Sequence, residues 1–119
     1  MTRKSLLSIA VLLVCIPCAW AHAFIDHAEP AVGSKLDAPP RVVKIWFTER
    51  LEPALSKIQI FDNRGSEVDK QDTKVDPANA QILFVSLPVI KTGKYRVIWR
   101  VVSVDTHVTN GSFEFEITE

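Results

Sequence analysis

Histidine and carboxylate residues stand where three apolar stripes of this sequence begin or end. His22 shares strand parity with Phe24, Glu49 follows a second stripe, and Asp105 and His107 follow a third. Because side chains on a strand alternate between its two faces, each of these residues would point the same way as its stripe. A partly buried carboxylate is costly unless it is paired or bound to a cation. The four polar residues therefore predict a metal site at the edge of a β-structure.

Two of the stripes are long enough to define strands. In residues 41–48 the apolar side chains alternate at Val43, Ile45 and Phe47. In residues 94–104 they occupy the odd positions Tyr95, Val97, Trp99 and Val101. If this second strand continues without a bulge, Ser103, Asp105 and His107 keep the same parity. An acid and an imidazole would then follow a core stripe on one face.

Each part of this site also has a simpler interpretation. Asp105 and His107 could close a turn through a hydrogen bond between carboxylate and imidazole. Glu49 could form a salt bridge with Arg50 or Arg100. Because a D-x-H spacing is a weak signal by itself, both alternatives stay open, and the start of the chain shifts the balance towards a metal.

Residues 1–21 are predicted to be a secretory signal peptide. Arg3 and Lys4 supply the positive start, residues 5–14 an apolar core of ten residues, and residues 19–21 a small-x-small cleavage site. Cleavage there makes His22 the first residue of a mature domain over 22–119. Cleavage two residues later would leave Phe24 instead. A cytoplasmic protein with an apolar first strand is the alternative.

A histidine in first position can chelate a metal. Its free α-amine has a pKa of about 8, and a metal can displace the amine proton while the ring Nδ1 binds the same ion. With a second imidazole and carboxylate oxygens, this set suits one Cu(II) ion better than Mg²⁺ or Ca²⁺, and zinc accepts the same ligands. Met1, Cys15 and Cys18 all fall within residues 1–21, so the mature chain lacks the soft ligands of a dedicated Cu(I) site.

The elements that must position these residues are strands. Alternating or continuous apolar segments occur in residues 23–28, 41–48, 56–61, 81–87, 94–104 and 112–118. Residues 62–80 are polar and are predicted to form a hairpin with a loose loop. Removing 21 of the 119 residues leaves 98. Six to eight short strands in that length predict an all-β fold, an immunoglobulin-like antiparallel β-sandwich with Greek-key connections.

Composition excludes several classes of protein. Lys plus Arg number 14 and Asp plus Glu number 14, so the basic footprint of a nucleic-acid-binding protein is missing. No apolar segment reaches the roughly 18 residues of a membrane-spanning helix. We find no nucleophile constellation, phosphate-binding loop or paired catalytic carboxylates, and we expect no enzymatic turnover.

Several other residues receive more ordinary roles. His27 is predicted to be a surface or hydrogen-bonded histidine, and Asp26 is kept outside the metal site. Asn110-Gly111-Ser112 matches a glycosylation sequon but is predicted to be a tight turn. Trp46 and Trp99 are expected to be core or near-site aromatic residues.

Three blocks of this chain resemble the CopC family of periplasmic copper-binding, or copper resistance, proteins. They are "HAFIDHAEPAVGS", "IWFTERLEP" and "GKYRVIWRVVSVDTHVTNGSFEFEI", and the resemblance that rests on them extends over essentially the whole mature chain. The resemblance implies an immunoglobulin-like β-sandwich that holds Cu(II) through His22, Glu49, Asp105 and His107. Some members carry a Met-rich loop that binds Cu(I). Because residues 62–80 contain neither Met nor His, the resemblance is to the Cu(II)-only members.

The resemblance also implies a biological role. We expect a monomeric periplasmic protein that binds one Cu(II) ion and either sequesters it or delivers it to a CopD-type inner-membrane protein. Two other classes remain as alternatives. One is a copper-dependent oxygenase, since an N-terminal histidine with a second histidine is similar to a histidine brace. The other is a metal-free interaction domain with an immunoglobulin-like fold.

Overall fold

The computed structural model describes residues 24–119, so the predicted signal peptide and His22 lie outside the described residues. Eight strands follow one another: β1 (Ile25–Glu29), β2 (Lys35–Leu36), β3 (Val42–Phe47), β4 (Lys57–Asp62), β5 (Lys74–Asp76), β6 (Asn79–Ser86), β7 (Gly93–Val102) and β8 (Val108–Ile117). A 3-10 helix over Pro53–Leu55 lies between β3 and β4. Residues 24–119 contain no helix with the length and hydropathy needed to cross a membrane.

The strands form two four-stranded sheets, ordered β1-β3-β6-β5 and β2-β8-β7-β4. Every pairing is antiparallel except β2 with β8, which is parallel. The chain passes from one sheet to the other after β1, β2, β3, β4 and β6, which leaves β5–β6 and β7–β8 as the two hairpins. The predicted β-sandwich of six to eight strands is confirmed, with the short parallel pairing at one edge as the exception to an antiparallel fold.

The core lies between the two sheets and consists of the alternating apolar side chains. From β3 it takes Val43, Ile45 and Phe47; from β7, Tyr95, Val97, Trp99 and Val101; and from β8, Phe113, Phe115 and Ile117. All of them are buried, as the alternation predicted. Each such side chain contributes about 1.5–3 kcal/mol relative to an exposed one. A one-residue slip of any of these strands would turn its apolar face to water, so burial fixes the register.

The segment Asn110-Gly111-Ser112 was predicted to be a tight turn, and this prediction is wrong. The three residues lie within β8, where Gly111 is the partner of Trp99 on β7. A Cβ atom at position 111 would lie 2.6 Å from a carbon of the Trp99 indole. The glycine therefore makes room for a neighbouring ring rather than for a turn.

The segment predicted as a loose loop is held by two carboxylates. Asp69 is buried and accepts hydrogen bonds from the backbone N–H groups of Ile60 and Gln71. Asp72 accepts one from the N–H of Ser86 at 2.8 Å. This last bond is the main reason why the pKa of Asp72 is lowered. The polar composition of this loop thus serves backbone hydrogen bonding between β4, β6 and their connection.

Candidate metal centre

The start of the described chain is fixed to the segment that leaves β3. The N–H of Phe24 donates to the Thr48 hydroxyl oxygen at 2.9 Å, and the N–H of Thr48 donates to the carbonyl of Phe24 at 2.8 Å. Glu49 follows Thr48 directly. The chain start and Glu49 are therefore at the same end of the sandwich.

The same segment is bonded to the loop between β7 and β8. Leu51 and Ser103 form an isolated antiparallel bridge, and the N–H of Val104 donates to the carbonyl of Arg50 at 2.9 Å. Glu49 precedes Arg50 and Asp105 follows Val104, so both residues are next to this bond along the chain. Backbone hydrogen bonds thus bring three separate parts of the sequence to one end of the fold.

The β7–β8 loop departs from the predicted continuous strand. β7 ends at Val102, and Ser103 to Thr106 form a turn in which the N–H of Thr106 donates to the carbonyl of Ser103 at 2.8 Å. Thr106 has a φ of 72°, a left-handed conformation. Asp105 and His107 therefore do not continue the core stripe, and this part of the prediction is wrong. They lie in a turn because the chain reverses here into β8.

Within this turn, carboxylate and imidazole face each other. The Nδ1 atom of His107 is 3.3 Å from Oδ2 of Asp105, and the two side chains are 49% and 42% exposed. The Ser103 hydroxyl donates to the other carboxylate oxygen of Asp105. The structure thus has the simpler of the two predicted arrangements, a turn closed by contact between a carboxylate and an imidazole. It also leaves both side chains open to solvent, where an ion can reach them.

Ser103 organises the turn and was not singled out from the sequence. It is fully buried, and its N–H donates to the carbonyl of His107 at 2.9 Å. The hydrogen bond from its hydroxyl is the largest cause of the lowered pKa of Asp105, opposed by partial desolvation and assisted by His107. The carboxylate is therefore held in its ionised form. The signal was present in the sequence, because Ser103 is a hydroxyl residue at the next position of a core stripe.

Glu49 is half-buried and makes no salt bridge with Arg50, Arg100 or any other residue in the part of the chain that the structure describes. The salt bridge that was the simpler interpretation of Glu49 is therefore not formed. Residues 24–119 contain no group of three or more His, Cys, Asp or Glu side chains placed to hold a metal. Of the four predicted ligands, Asp105 and His107 are in contact, Glu49 is at the same end, and His22 is outside the described residues.

His27 has the surface role predicted for it, and Trp46, expected as a core or near-site residue, lies outside the core. The Nδ1 atom of His27 is 2.6 Å from Oδ2 of Asp26, and its ring stacks on Trp46 with centroids 4.2 Å apart. A bulge in β1 between Ile25 and His27 turns the histidine away from the core. Trp46 lies half-buried on the same outer face, so it is not a core residue.

Trp99, by contrast, is a core residue as predicted. Its side chain is 7% exposed and meets the Phe47 ring edge to face at 5.1 Å.

Comparison with known proteins identifies relatives along the whole described domain. The family model described as "CopC domain" matches residues 25–118. Protein YobA of Escherichia coli K12 is 32% identical over 120 residues, covering 98% of this chain and 97% of YobA. Copper resistance protein C of Xanthomonas campestris pv. juglandis is 32% identical over 117 residues, covering 90% of this chain and 91% of that protein.

A solved structure shares the fold as well. The crystal structure of CopC from Methylosinus trichosporium OB3b superposes with a TM-score of 0.76 at 33% sequence identity. The match covers 81% of this chain and 93% of that structure. Sequence and architecture therefore agree on the same group of proteins.

Proposed function

This chain belongs to the CopC family of copper resistance proteins, and from that premise we propose that it is a periplasmic carrier of one Cu(II) ion. Proteins of this family handle copper and are not enzymes. The proposed ligands are the α-amine and imidazole of His22, the imidazole of His107, and oxygen from Asp105 or Glu49. Export would depend on residues 1–21, and their removal would free the α-amine of His22.

The observation that carries the proposal is the convergence of three segments at the β7–β8 turn. Phe24 is fixed to Thr48 by two hydrogen bonds, and Arg50 is bonded to Val104. His22 is two residues before Phe24, and two residues span at most about 7 Å. A mature chain that begins at His22 therefore has its amine close to the end of the fold that presents Asp105 and His107.

The donors at this end favour Cu(II). Imidazole and amine nitrogens with carboxylate oxygens suit a tetragonal Cu(II) ion, whereas Cu(I) prefers thiolate and thioether ligands. No Cys follows position 18 and no Met follows position 1. The proposal is accordingly a Cu(II) site without a second Cu(I) site.

The acid–imidazole contact supports distinct roles for the two turn residues. With its Nδ1 atom facing Asp105, His107 would offer Nε2 to the metal. A carboxylate on the second ring nitrogen fixes the orientation of a histidine ligand and raises its basicity. Asp105 would then act chiefly by orienting His107, and Glu49 by supplying oxygen from the neighbouring segment.

The proposed biological role is sequestration of copper or its delivery to a CopD-type protein of the inner membrane. An exposed site at one end of a rigid sandwich allows a partner to approach the ion without unfolding the carrier. We propose that the protein acts as a monomer.

The proposal is tested by comparing two proteins, one beginning at His22 and one with a single extra residue before it. A ligand that binds only the folded state raises its stability by about 2.7 kcal/mol at one hundred times the dissociation constant. We expect Cu(II) to raise the melting temperature of the first protein and to bind much more weakly to the second, because the amine is moved away from the ring. Equal affinity in both would exclude the chelate.

The location of the cleavage site needs its own measurement. Mass spectrometry of the exported protein, with and without Cu(II), gives the first residue and the number of bound ions together. A mature chain that begins at Phe24, or one that begins at His22 and binds no copper, would refute the proposal.

A further inference from the structure

A groove of about 490 Å³ lies on the outer face of the sheet β2-β8-β7-β4, and none of the residues of the β7–β8 turn lines it. The 3-10 helix forms one wall, including Leu55. Lys57 of β4 and Arg100 of β7 lie opposite each other across the floor, as partners in the strand register. A volume of this size is within the range of about 300–1,000 Å³ that binding sites usually occupy.

Basic side chains on the outer face of β7 lie opposite acidic side chains of β8, except at this groove. Two basic residues of β7 each lie opposite an acid of β8, Lys94 facing Glu116 and Arg96 facing Glu114. Arg100 instead lies between Asn110 on β8 and Lys57 on β4. Like charges directly opposite each other across two strands are destabilising. The groove therefore carries a local positive charge that the sheet does not balance.

The side chains around this charge leave it available to a ligand. The Arg100 side chain makes no hydrogen bond or ion pair with another residue in the described range 24–119. Lys57 interacts electrostatically with Glu67, but within residues 24–119 the two side chains form no salt bridge. The Glu67 carboxylate accepts a hydrogen bond from the Gln59 amide at 3.4 Å. Gln71 lines the groove and adds a further amide donor. The site thus holds two cationic and two amide donors.

The wall of the groove is apolar. Leu55 is 57% exposed, and Ile98 lies half-buried on the floor beside Arg100. An inorganic anion would satisfy the cations but leave these apolar surfaces in water. An extended peptide with a carboxylate side chain next to an aliphatic one would cover both. We infer that this groove binds an acidic, partly apolar polypeptide segment of a partner protein.

The groove is joined to the copper-binding end by the backbone. Its wall follows Leu51, which is bridged to Ser103, and the Ser56 hydroxyl accepts a hydrogen bond from the N–H of Val102 at 3.2 Å. A partner held in the groove would therefore lie beside the β7–β8 turn. In this respect the inference rests on the proposed function, since it supplies the docking contact for the protein that exchanges copper.

The test uses the copper-free chain and a synthetic probe, the tetrapeptide acetyl-Leu-Asp-Glu-Leu-amide. We expect saturable shifts in the ¹H–¹⁵N NMR signals of Leu55, Ile98 and Arg100, and none with the neutral analogue acetyl-Leu-Asn-Gln-Leu-amide. Arg100→Gln should weaken binding about fivefold or more, and Lys57→Gln by a similar factor, each corresponding to about 1 kcal/mol. Arg96→Gln, on the same face but opposite an acid, is the matched control and should change the affinity less than twofold.

Three outcomes would overturn the inference. They are no saturable shift up to about 5 mM peptide, equal shifts with the neutral analogue, and a response confined to sodium phosphate or to phosphatidylglycerol vesicles. Copper titration of the unmodified protein that begins at His22 is a separate measurement. Absence of copper binding there would refute the proposed function while leaving the peptide result intact, so the two failures can be told apart.

Discussion

Replacing Gly111 with alanine should destabilise the sandwich, because the Trp99 indole occupies the space that the new methyl group needs. The Cβ atom would lie 2.6 Å from Cζ2 of the ring, whereas carbon atoms attract each other best at about 3.5–4.0 Å. The ring would have to move by about 1 Å to restore contact at van der Waals distance. It is 7% exposed and packs edge to face on Phe47, so its movement disturbs the core.

The size of the effect follows from two opposing contributions. Overpacking of a core costs about 1–3 kcal/mol. Alanine also restricts the unfolded chain more than glycine does, which returns about 0.4–1 kcal/mol where the backbone conformation is compatible. The net loss should therefore be about 1–2 kcal/mol, which for a domain of this size lowers the melting temperature by about 4–16 °C.

Urea and thermal unfolding of the variant measure this loss, with Ser112→Ala as the control. Ser112 is the next residue of β8, is exposed, and should change stability by less than about 0.5 kcal/mol. The Gly111→Ala change should cost less in a Trp99→Phe background, because the smaller ring removes the overlap. If Gly111→Ala is as stable as the parent protein, or equally costly in both backgrounds, the steric reasoning is wrong.

Three further predictions concern individual carboxylates. Ser103→Ala should raise the pKa of Asp105 towards its ordinary value, as measured by carboxyl ¹³C NMR. An unchanged pKa would show that the hydrogen bond from the Ser103 hydroxyl is not what lowers it. Because the pKa of Asp72 is lowered, its carboxylate stabilises the fold at pH values above 3.8, the ordinary pKa of the group. This stabilisation is lost as the pH falls through the pKa in the folded protein. Asp72→Asn should therefore be less stable at pH 7, with a weaker acid dependence in urea unfolding; parallel pH profiles would contradict this. Burial raises the pKa of Glu67, so its ionisation costs stability as pH rises, and its Oε2 atom is buried without a hydrogen-bond partner in the described chain. Glu67→Gln should raise the melting temperature at neutral pH but not at a pH below 4.5, the ordinary pKa of the group. An equal rise at the two pH values would argue against ionisation as the cause.

Part of the candidate site could be predicted from local pattern alone. The parity of residues 95–101 correctly indicated which face of β7 is buried, and the stripe in β3 did the same. The residue types Asp105 and His107 indicated a metal or an acid–imidazole pair, and the two are in contact. The predictions for β3 and β7 succeeded because strand alternation depends on neighbours two residues apart in the sequence.

Other features depended on contacts that alternation cannot describe. His27 faces outward as expected, but the bulge at Asp26 lets Ile25 pack against the core, and Phe24, expected on an apolar stripe, is exposed. The turn after Val102 replaces the expected continuation of β7, because Ser103 is bonded back to His107 and bridged to Leu51. Gly111 resembles a turn residue in the sequence, but in the fold it lies beside the ring of Trp99 within β8.

The sequence by itself determined which side chains form the core, which residues could bind a metal, and the CopC family to which the chain belongs. Those properties are set by residue type and by spacing along one strand. The tertiary structure decided that Thr48, Arg50 and the β7–β8 turn meet at one end, since this depends on hydrogen bonds between segments more than fifty residues apart. It also decided that Arg100 and Lys57 oppose each other with no acidic partner in the strand register, because only the pairing of β4 with β7 brings these two charges together.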